Sequence, residues 1–200
     1  MKSSLFMFSF FISGLLIGFF SSFPRLMFKS EYTLYALYLL LFLVGIGIGS
    51  NTKAWQVIKK VNVKILLVPL SVIIGTLLGV GLFSIFVSEV TLKESLAIGS
   101  GFGYYSLSSV LIAQIRGETL GVIALLSNII REITTMLMTP VLAKYCGNLA
   151  PIASGGATSM DTTLPIIARF TGKEYAMISV FSGIVLTVMA PFLIILLLRI

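Results

Sequence analysis

Two acidic residues, Glu132 and Asp161, lie inside stretches that otherwise read as membrane-spanning. A carboxylate at bilayer depth is costly and marks a water-filled path, an ion or a partner charge. Around Asp161 the chain runs Ser154-Gly155-Gly156-Ala157-Thr158-Ser159-Met160-Asp161-Thr162-Thr163-Leu164-Pro165. A second run of the same character, Gly99-Ser100-Gly101-Phe102-Gly103-Tyr104-Tyr105-Ser106, precedes it. Glycine adopts unusual dihedrals without steric penalty, so both runs suit an unwound helix. Unwinding frees backbone N–H and C=O groups, and a half-helix N-terminus offers a positive dipole end to an anion. Backbone N–H groups for a carboxylate and a side-chain acid for an ammonium describe a site for an amino acid zwitterion. The chemistry points to a small-solute transporter, with amino acids as one natural substrate class.

Each acid also has a plainer role. Asp161 ahead of Thr-Thr-Leu-Pro fits a helix N-cap that needs no ligand, and the two roles are compatible. Glu132 falls near the middle of the apolar run that starts at Glu118. Its neighbour Arg131 is a poor partner, because adjacent helical residues do not face each other. Asn128 and Thr135 share the Glu132 face, and together they form a polar stripe of the kind that lines a pathway. Tyr104 and Tyr105 either line the site or belt an interface. The other acids, Glu31, Glu89, Glu94, Glu118 and Glu174, lie at span ends where a carboxylate is cheap.

The elements that must position these residues follow from composition. The chain has 200 residues, 58% hydrophobic and 10% charged, with a mean hydropathy of +1.09. A soluble domain carries about 25% charged residues, so this chain belongs in lipid. The expected fold is an all-α polytopic membrane protein with a single transmembrane transporter domain over 1–200. A span needs about 20 apolar residues. Residues 5–23, 33–49, 65–87, 93–116, 118–142, 151–168 and 174–198 give about seven membrane-crossing segments. Two of them, 93–116 and 151–168, are broken or re-entrant. The first run is too long for a signal-peptide core and reads as a retained span. From Ser100 to Ser154 the two polar runs share a pattern of small residues, which internal repetition and chance both explain.

Other classes are excluded or disfavoured. The fourteen basic residues are scattered between apolar runs, which argues against nucleic-acid binding despite the net charge of +7. One cysteine, Cys146, and no histidine leave nothing for a disulfide within the chain or a zinc site, and no metal or cofactor is expected. An intramembrane aspartyl protease needs two aspartates sharing a proton, and Asp161 is alone, so no enzyme is expected. Lys53, Lys59, Lys60 and Lys64 place the 51–64 loop in the cytoplasm. On that count Lys2, Arg116, Arg169 and Lys173 share its side, Arg25, Lys29, Lys93, Lys144 and Arg199 lie opposite, and the C-terminus is outside.

Four segments carry a resemblance: 39–49 (Leu-Leu-Leu-Phe-Leu-Val-Gly-Ile-Gly-Ile-Gly), 97–109 (Ala-Ile-Gly-Ser-Gly-Phe-Gly-Tyr-Tyr-Ser-Leu-Ser-Ser), 128–140 with its Arg131-Glu132 pair, and 156–165 (Gly-Ala-Thr-Ser-Met-Asp-Thr-Thr-Leu-Pro). Over essentially the whole chain it resembles the bacterial lysine exporter (LysO) family. The resemblance implies export of L-lysine, and of toxic analogues such as thialysine, across the bacterial inner membrane by proton-coupled antiport. It also implies two essential intramembrane acids, which fall by motif on Glu132 and Asp161. Family members usually carry further N-terminal helices. The chain is therefore expected to be either a truncated form or, preferably, one half of a split transporter with a separately encoded small membrane subunit.

The expected site lies between the two unwound segments, with Glu132 projecting in from the neighbouring helix. Glu132 and Asp161 hold the two ammonium groups of lysine, or one ammonium and a coupling proton. Asn128, Ser100, Gly101, Tyr104, Ser106, Ser108, Gly155, Thr158, Ser159 and Thr162 complete it. Lipid surrounds the chain, and a homo-oligomer is compatible with the sequence. The rival reading is a non-transporting membrane subunit that scaffolds or regulates a partner transporter.

Overall fold

The computed structural model describes residues 63–199 except 88, together with isolated positions before residue 63. The spans expected at 5–23 and 33–49 and most of the 51–64 loop lie outside the described residues. The chain forms two compact units, Met1–Tyr38 and Leu39–Ile200. In the first, the described positions Ser13, Leu16, Tyr35 and Tyr38 are helical and exposed. The second contains everything that follows.

Among the described residues the regular structure is helical: α1 (Val63–Ser84), α2 (Leu92–Gly99), α3 (Tyr105–Arg116), α4 (Glu118–Tyr145), α5 (Ala150–Gly155), a 3-10 turn η1 (Gly156–Met160), α6 (Leu164–Thr171) and α7 (Lys173–Arg199). Helices α1, α4 and α7 are long and apolar enough to cross a membrane. The remaining helices are short because their sequences break: Gly-Ser-Gly-Phe-Gly ends α2, and Gly-Gly ends α5. Pro165 then opens α6 in its first turn, where a missing N–H costs nothing.

Each pair of short helices turns back on itself. Thr91 caps α2, and its hydroxyl and backbone N–H both donate to the Glu94 carboxylate, at 2.7 and 3.0 Å. Those bonds hold the Glu94 carboxyl below its ordinary pKa, and the Arg116 charge adds to the effect. A through-going helix would put Glu94 and Arg116 roughly 33 Å apart, at 1.5 Å per residue. Helix α1 runs alongside α7, with Val68 near Tyr175 and Ile178 and Val72 near Leu186 and Ala190, so the end of α1, where α2 begins, lies on the same face as Leu198 and Arg116. The second pair repeats this: Ile152 of α5 and Ile167 of α6 pack in one cluster with Val68, Tyr175 and Ile178. Both polar runs are therefore re-entrant hairpins, one of the two forms expected for them.

The hairpins enter from opposite faces. Helix α4 leaves the first hairpin through Gly117 (φ 99°, ψ 163°), and α7 leaves the second through Gly172 (φ 97°, ψ 162°). Both glycines hold a positive φ that side chains avoid, and they turn the chain identically. Arg116, at the first face, donates to the carbonyl of Leu198 at the end of α7, at 3.1 Å. Helices α4 and α7 thus run antiparallel. Hairpin, glycine and long helix form an inverted repeat over residues 92–145 and 150–199, which favours repetition over chance.

This topology corrects the expected sidedness. Arg116 does not share a face with Arg169 and Lys173, Lys93 lies with Arg116 instead of opposite it, and Lys144 lies with Arg169 and Lys173 instead of opposite them. A polar run that returns to its starting face reverses the side of everything after it. Cys146, exposed just past α4, marks the second face.

The hairpin tips meet at the centre. Ala157 N–H donates to the Phe102 carbonyl at 2.8 Å. Phe102 is fully buried and holds a positive φ of 48°. Gly156 (φ 62°, ψ −124°) lies so close that an added Cβ would collide with the Phe102 carbonyl oxygen. Close approach also seats the hairpins on the long helices. A Cβ on Gly183 would stand 2.6 Å from Met160 Cβ, and one on Gly121 only 2.8 Å from the Ser109 carbonyl.

Two tests follow. With Cys146 replaced by serine, Lys93→Cys and Glu118→Cys are expected to react with an impermeant maleimide from one side of the membrane. Native Cys146 is expected to react from the other. Labelling of the two introduced cysteines from opposite sides would restore a through-going span. Gly156→Ala is expected to cost about 3 kcal/mol or more, combining backbone strain with the Phe102 collision, read as a lower melting temperature in detergent.

Candidate substrate site at the hairpin tips

Where α3 begins beside the η1 turn, the tips leave a cleft of about 70 Å³ lined by Gly103, Tyr104, Tyr105, Ser106, Ala157, Thr158, Met160, Asp161 and Thr162. One wall is the N-terminal turn of α3, where the Tyr104 and Tyr105 N–H groups donate to Gly101 and Gly103 carbonyls and the next N–H, of Ser106, carries the positive partial charge of the helix end. Another wall carries the Asp161 carboxylate, which is exposed and accepts from the Thr162 N–H at 2.6 Å and its hydroxyl at 3.4 Å. Asp161 does not cap α6, whose N-cap is Thr163. It ends the η1 turn and keeps oxygen valences open to the cleft. Tyr104 lines the same cleft. A helix N-terminal turn and a negative side chain thus line one small cleft.

The cleft holds about two water volumes, enough for an ammonium or carboxylate end group but not a whole amino acid. A larger groove of about 500 Å³ runs beside Val80, Phe83, Ile98 and Ile123. Its lining contains no ionisable group, so size alone misplaces the chemistry.

Five of the expected site residues, Tyr104, Ser106, Thr158, Asp161 and Thr162, come together in this cleft. Five others support it from behind. The Ser100 hydroxyl donates to the Leu96 carbonyl at 2.8 Å. Ser108 accepts from Asn128 at 3.4 Å. Gly101 is packed so tightly that a Cβ would stand 2.7 Å from Asn128 Nδ2. Gly155 accepts from the Thr158 hydroxyl at 2.9 Å. Ser159 and Ser179 exchange hydroxyl-to-carbonyl bonds at 3.0 and 2.7 Å, tying the η1 turn to α7.

The α4 residues divide differently. Asn128 is buried, accepts from the Gly103 N–H at 2.7 Å and donates to the Ala124 carbonyl at 2.8 Å. Its amide is spent on holding the first tip. Thr135 bonds the Ser154 hydroxyl at 2.7 Å beside the second. Glu132 lies between them in depth but does not line the Asp161 cleft, and among the described residues it is half-buried with no hydrogen-bond partner.

The residue that reaches the second hairpin from this turn is Arg131. Its Nε donates to the Ser154 carbonyl at 2.9 Å and its Nη2 to the Ala153 carbonyl at 3.1 Å. Nη1 reaches the Thr76 hydroxyl on α1 at 3.4 Å. Sequence reasoning treated Arg131 only as a poor partner for Glu132. The signal was present, since an arginine at that depth is as costly as a glutamate.

The model of the family described as lysine exporter LysO matches residues 8–198. The lysine exporter LysO of Escherichia coli (strain K12) is 33% identical over 183 residues, covering 92% of this chain and 60% of that protein. A putative lysine exporter of Haemophilus influenzae is 32% identical over 184 residues, 92% of each chain. The chain thus spans less than two thirds of the Escherichia coli relative and nearly all of the Haemophilus influenzae one. No solved structure matches it. With its apolar helices and a family match that runs through both hairpins and all three long helices, the chain is a multi-pass membrane protein belonging to the lysine exporter LysO family.

Proposed function

We propose that this chain exports L-lysine, and analogues such as thialysine, across the bacterial inner membrane, and that the Asp161 cleft receives one end of the substrate. One observation carries the reading: the N-terminal turn of α3 and the Asp161 carboxylate line one small cleft where two oppositely inserted hairpins touch. The two relatives are named for lysine export, which favours this cargo. The α-carboxylate is taken by the Ser106 N–H and hydroxyl in the first turn of α3, and an ammonium by Asp161, Thr158 and Thr162. Tyr104 closes the side. In this proposal Asn128 holds the tip that presents that N–H group and does not touch the cargo.

Proton coupling is assigned to the carboxylates. A cationic substrate and a proton compete for Asp161, so one displaces the other, as antiport requires. Glu132, without a partner at the same depth, is the second group that can carry a proton. The face bearing Lys144, Arg169 and Lys173 is assigned to the cytoplasm, since the lysine-rich 51–64 segment leads directly into α1 at that face. This leaves the end of α7 outside, as expected.

In cells lacking other lysine exporters, Asp161→Asn is expected to lower lysine efflux and thialysine resistance about ten- to a hundredfold at normal protein levels. That is the effect of losing a charge-assisted hydrogen bond of about 1.5–3 kcal/mol. Full resistance in this variant would remove Asp161 from the pathway. Asn128→Leu is expected to behave differently, leaving the Gly103 N–H unsatisfied and costing about 1–3 kcal/mol of stability. A loss of flux at unchanged melting temperature would instead put Asn128 in contact with the cargo.

A further inference from the structure

The second hairpin ends a half-helix, α5, in the middle of the membrane. The last carbonyls of a helix have no intrahelical donor and carry its negative dipole end. At this depth water cannot satisfy them, and each unsatisfied group costs several kcal/mol. Transporters built on discontinuous helices commonly meet this demand with a coupling ion, a Na⁺ or proton held on such half-helix ends and unwound carbonyls.

Here the ligand set is Ala153 O, Ser154 O and the Thr76 hydroxyl, two backbone carbonyls and one threonine oxygen. Hard monovalent cations are bound by oxygens of this kind, and the Arg131 guanidinium sits on all three. It has no carboxylate partner among the described residues, and its Nη2 also fills the space beside Gly156, 3.2 Å from where a Cβ would be. Among the described residues no charged side chain meets the end of the first half-helix. The α2 end is met by neutral Asn128, whose Nδ2 reaches the Ile98 carbonyl at 3.5 Å. One half of the inverted repeat thus carries a fixed positive charge where the other carries an amide.

We propose that Arg131 is a tethered cation, standing where a discontinuous-helix transporter would otherwise bind a coupling Na⁺. It is a positioning residue: it locks α5 and α1 to α4, sets the second tip against Phe102, and does not touch the cargo. Guanidinium stays charged at any physiological pH. The second hairpin is therefore held permanently and needs no Na⁺, which leaves the carboxylates as the groups able to couple transport. The cargo named in the test rests on the lysine-export reading, but the cation site does not.

The test compares wild type and Arg131→Ala, each as the full chain, purified and reconstituted, in millimolar choline, sodium or guanidinium chloride at equal ionic strength. Wild type is expected to melt at one temperature in sodium and in choline and to release lysine equally in both. Arg131→Ala is expected to melt lower and to lose about tenfold or more of its flux, the effect of one charge-assisted hydrogen bond. Guanidinium, unlike choline, is expected to restore both saturably. A wild type stabilised by sodium, or an alanine variant indifferent to guanidinium, overturns the proposal. Should the alanine variant not fold, Arg131→Lys takes its place. Melting of that variant that does not change with sodium supports the tethered charge, and stabilisation by sodium overturns it. A wild type with no lysine flux sinks the export reading alone, because the melting experiments still decide the role of Arg131.

Discussion

Backbone polar groups in hydrocarbon must find partners inside the protein, and this fold is arranged around that demand. Two hairpins carry irregular backbone to the middle of the membrane, where each exposed N–H or C=O is expensive. They meet the cost with each other and with α4. Phe102 offers its carbonyl to Ala157, Gly103 gives its N–H to Asn128, and the end of α5 receives Arg131. Gly101, Gly121, Gly156 and Gly183 permit the required approach, since a Cβ on any of them would meet its neighbour well inside contact distance. The same contacts explain why Phe102 tolerates a left-handed backbone: it is fully buried, and its carbonyl is fixed from the opposite hairpin.

The inverted repeat gives the site its character. Because the hairpins come from opposite faces, their tips are the place where a path from either side would meet. The α3 turn brings partial positive charge there from one repeat, and Asp161 brings full negative charge from the other. Neither hairpin alone contains both. The repeat is not symmetric in charge, since Asn128 serves the first tip and Arg131 the second. That asymmetry separates a fixed cation from titratable acids, and it is the ground for treating Arg131 as framework and Asp161 as machinery.

Much of this was legible in the residues. Gly-Ser-Gly and Ser-Gly-Gly inside apolar runs announced broken helices, because such sequences hold no helix and bury little apolar surface. Asp161 stood out because a carboxylate at that depth needs a reason, and it lies in the cleft. Asn128 was recognised as polar and inward-facing, but its role was not. An amide can bind cargo or backbone equally well, and only the position of Gly103 decides. Arg131 was passed over for a geometric reason. With 3.6 residues per turn, Arg131 and Glu132 flank the Asn128–Thr135 face at similar angles, so helical periodicity has no means of choosing which one turns inward.

From the residues alone follow an all-helical membrane chain with two interrupted segments and the polar residues those segments hold. Composition and breaker residues settle such matters locally, with no reference to distant parts of the chain. The packed fold alone shows that the interruptions are hairpins entering from opposite faces, and that Arg131 rather than Glu132 reaches the second of them. It also shows which five of the expected residues share one cleft. These are properties of pairs far apart in the chain, Arg116 with Leu198, Val72 with Leu186 and Phe102 with Ala157. Their proximity follows from where the chain turns and what it packs against, and no local pattern encodes that.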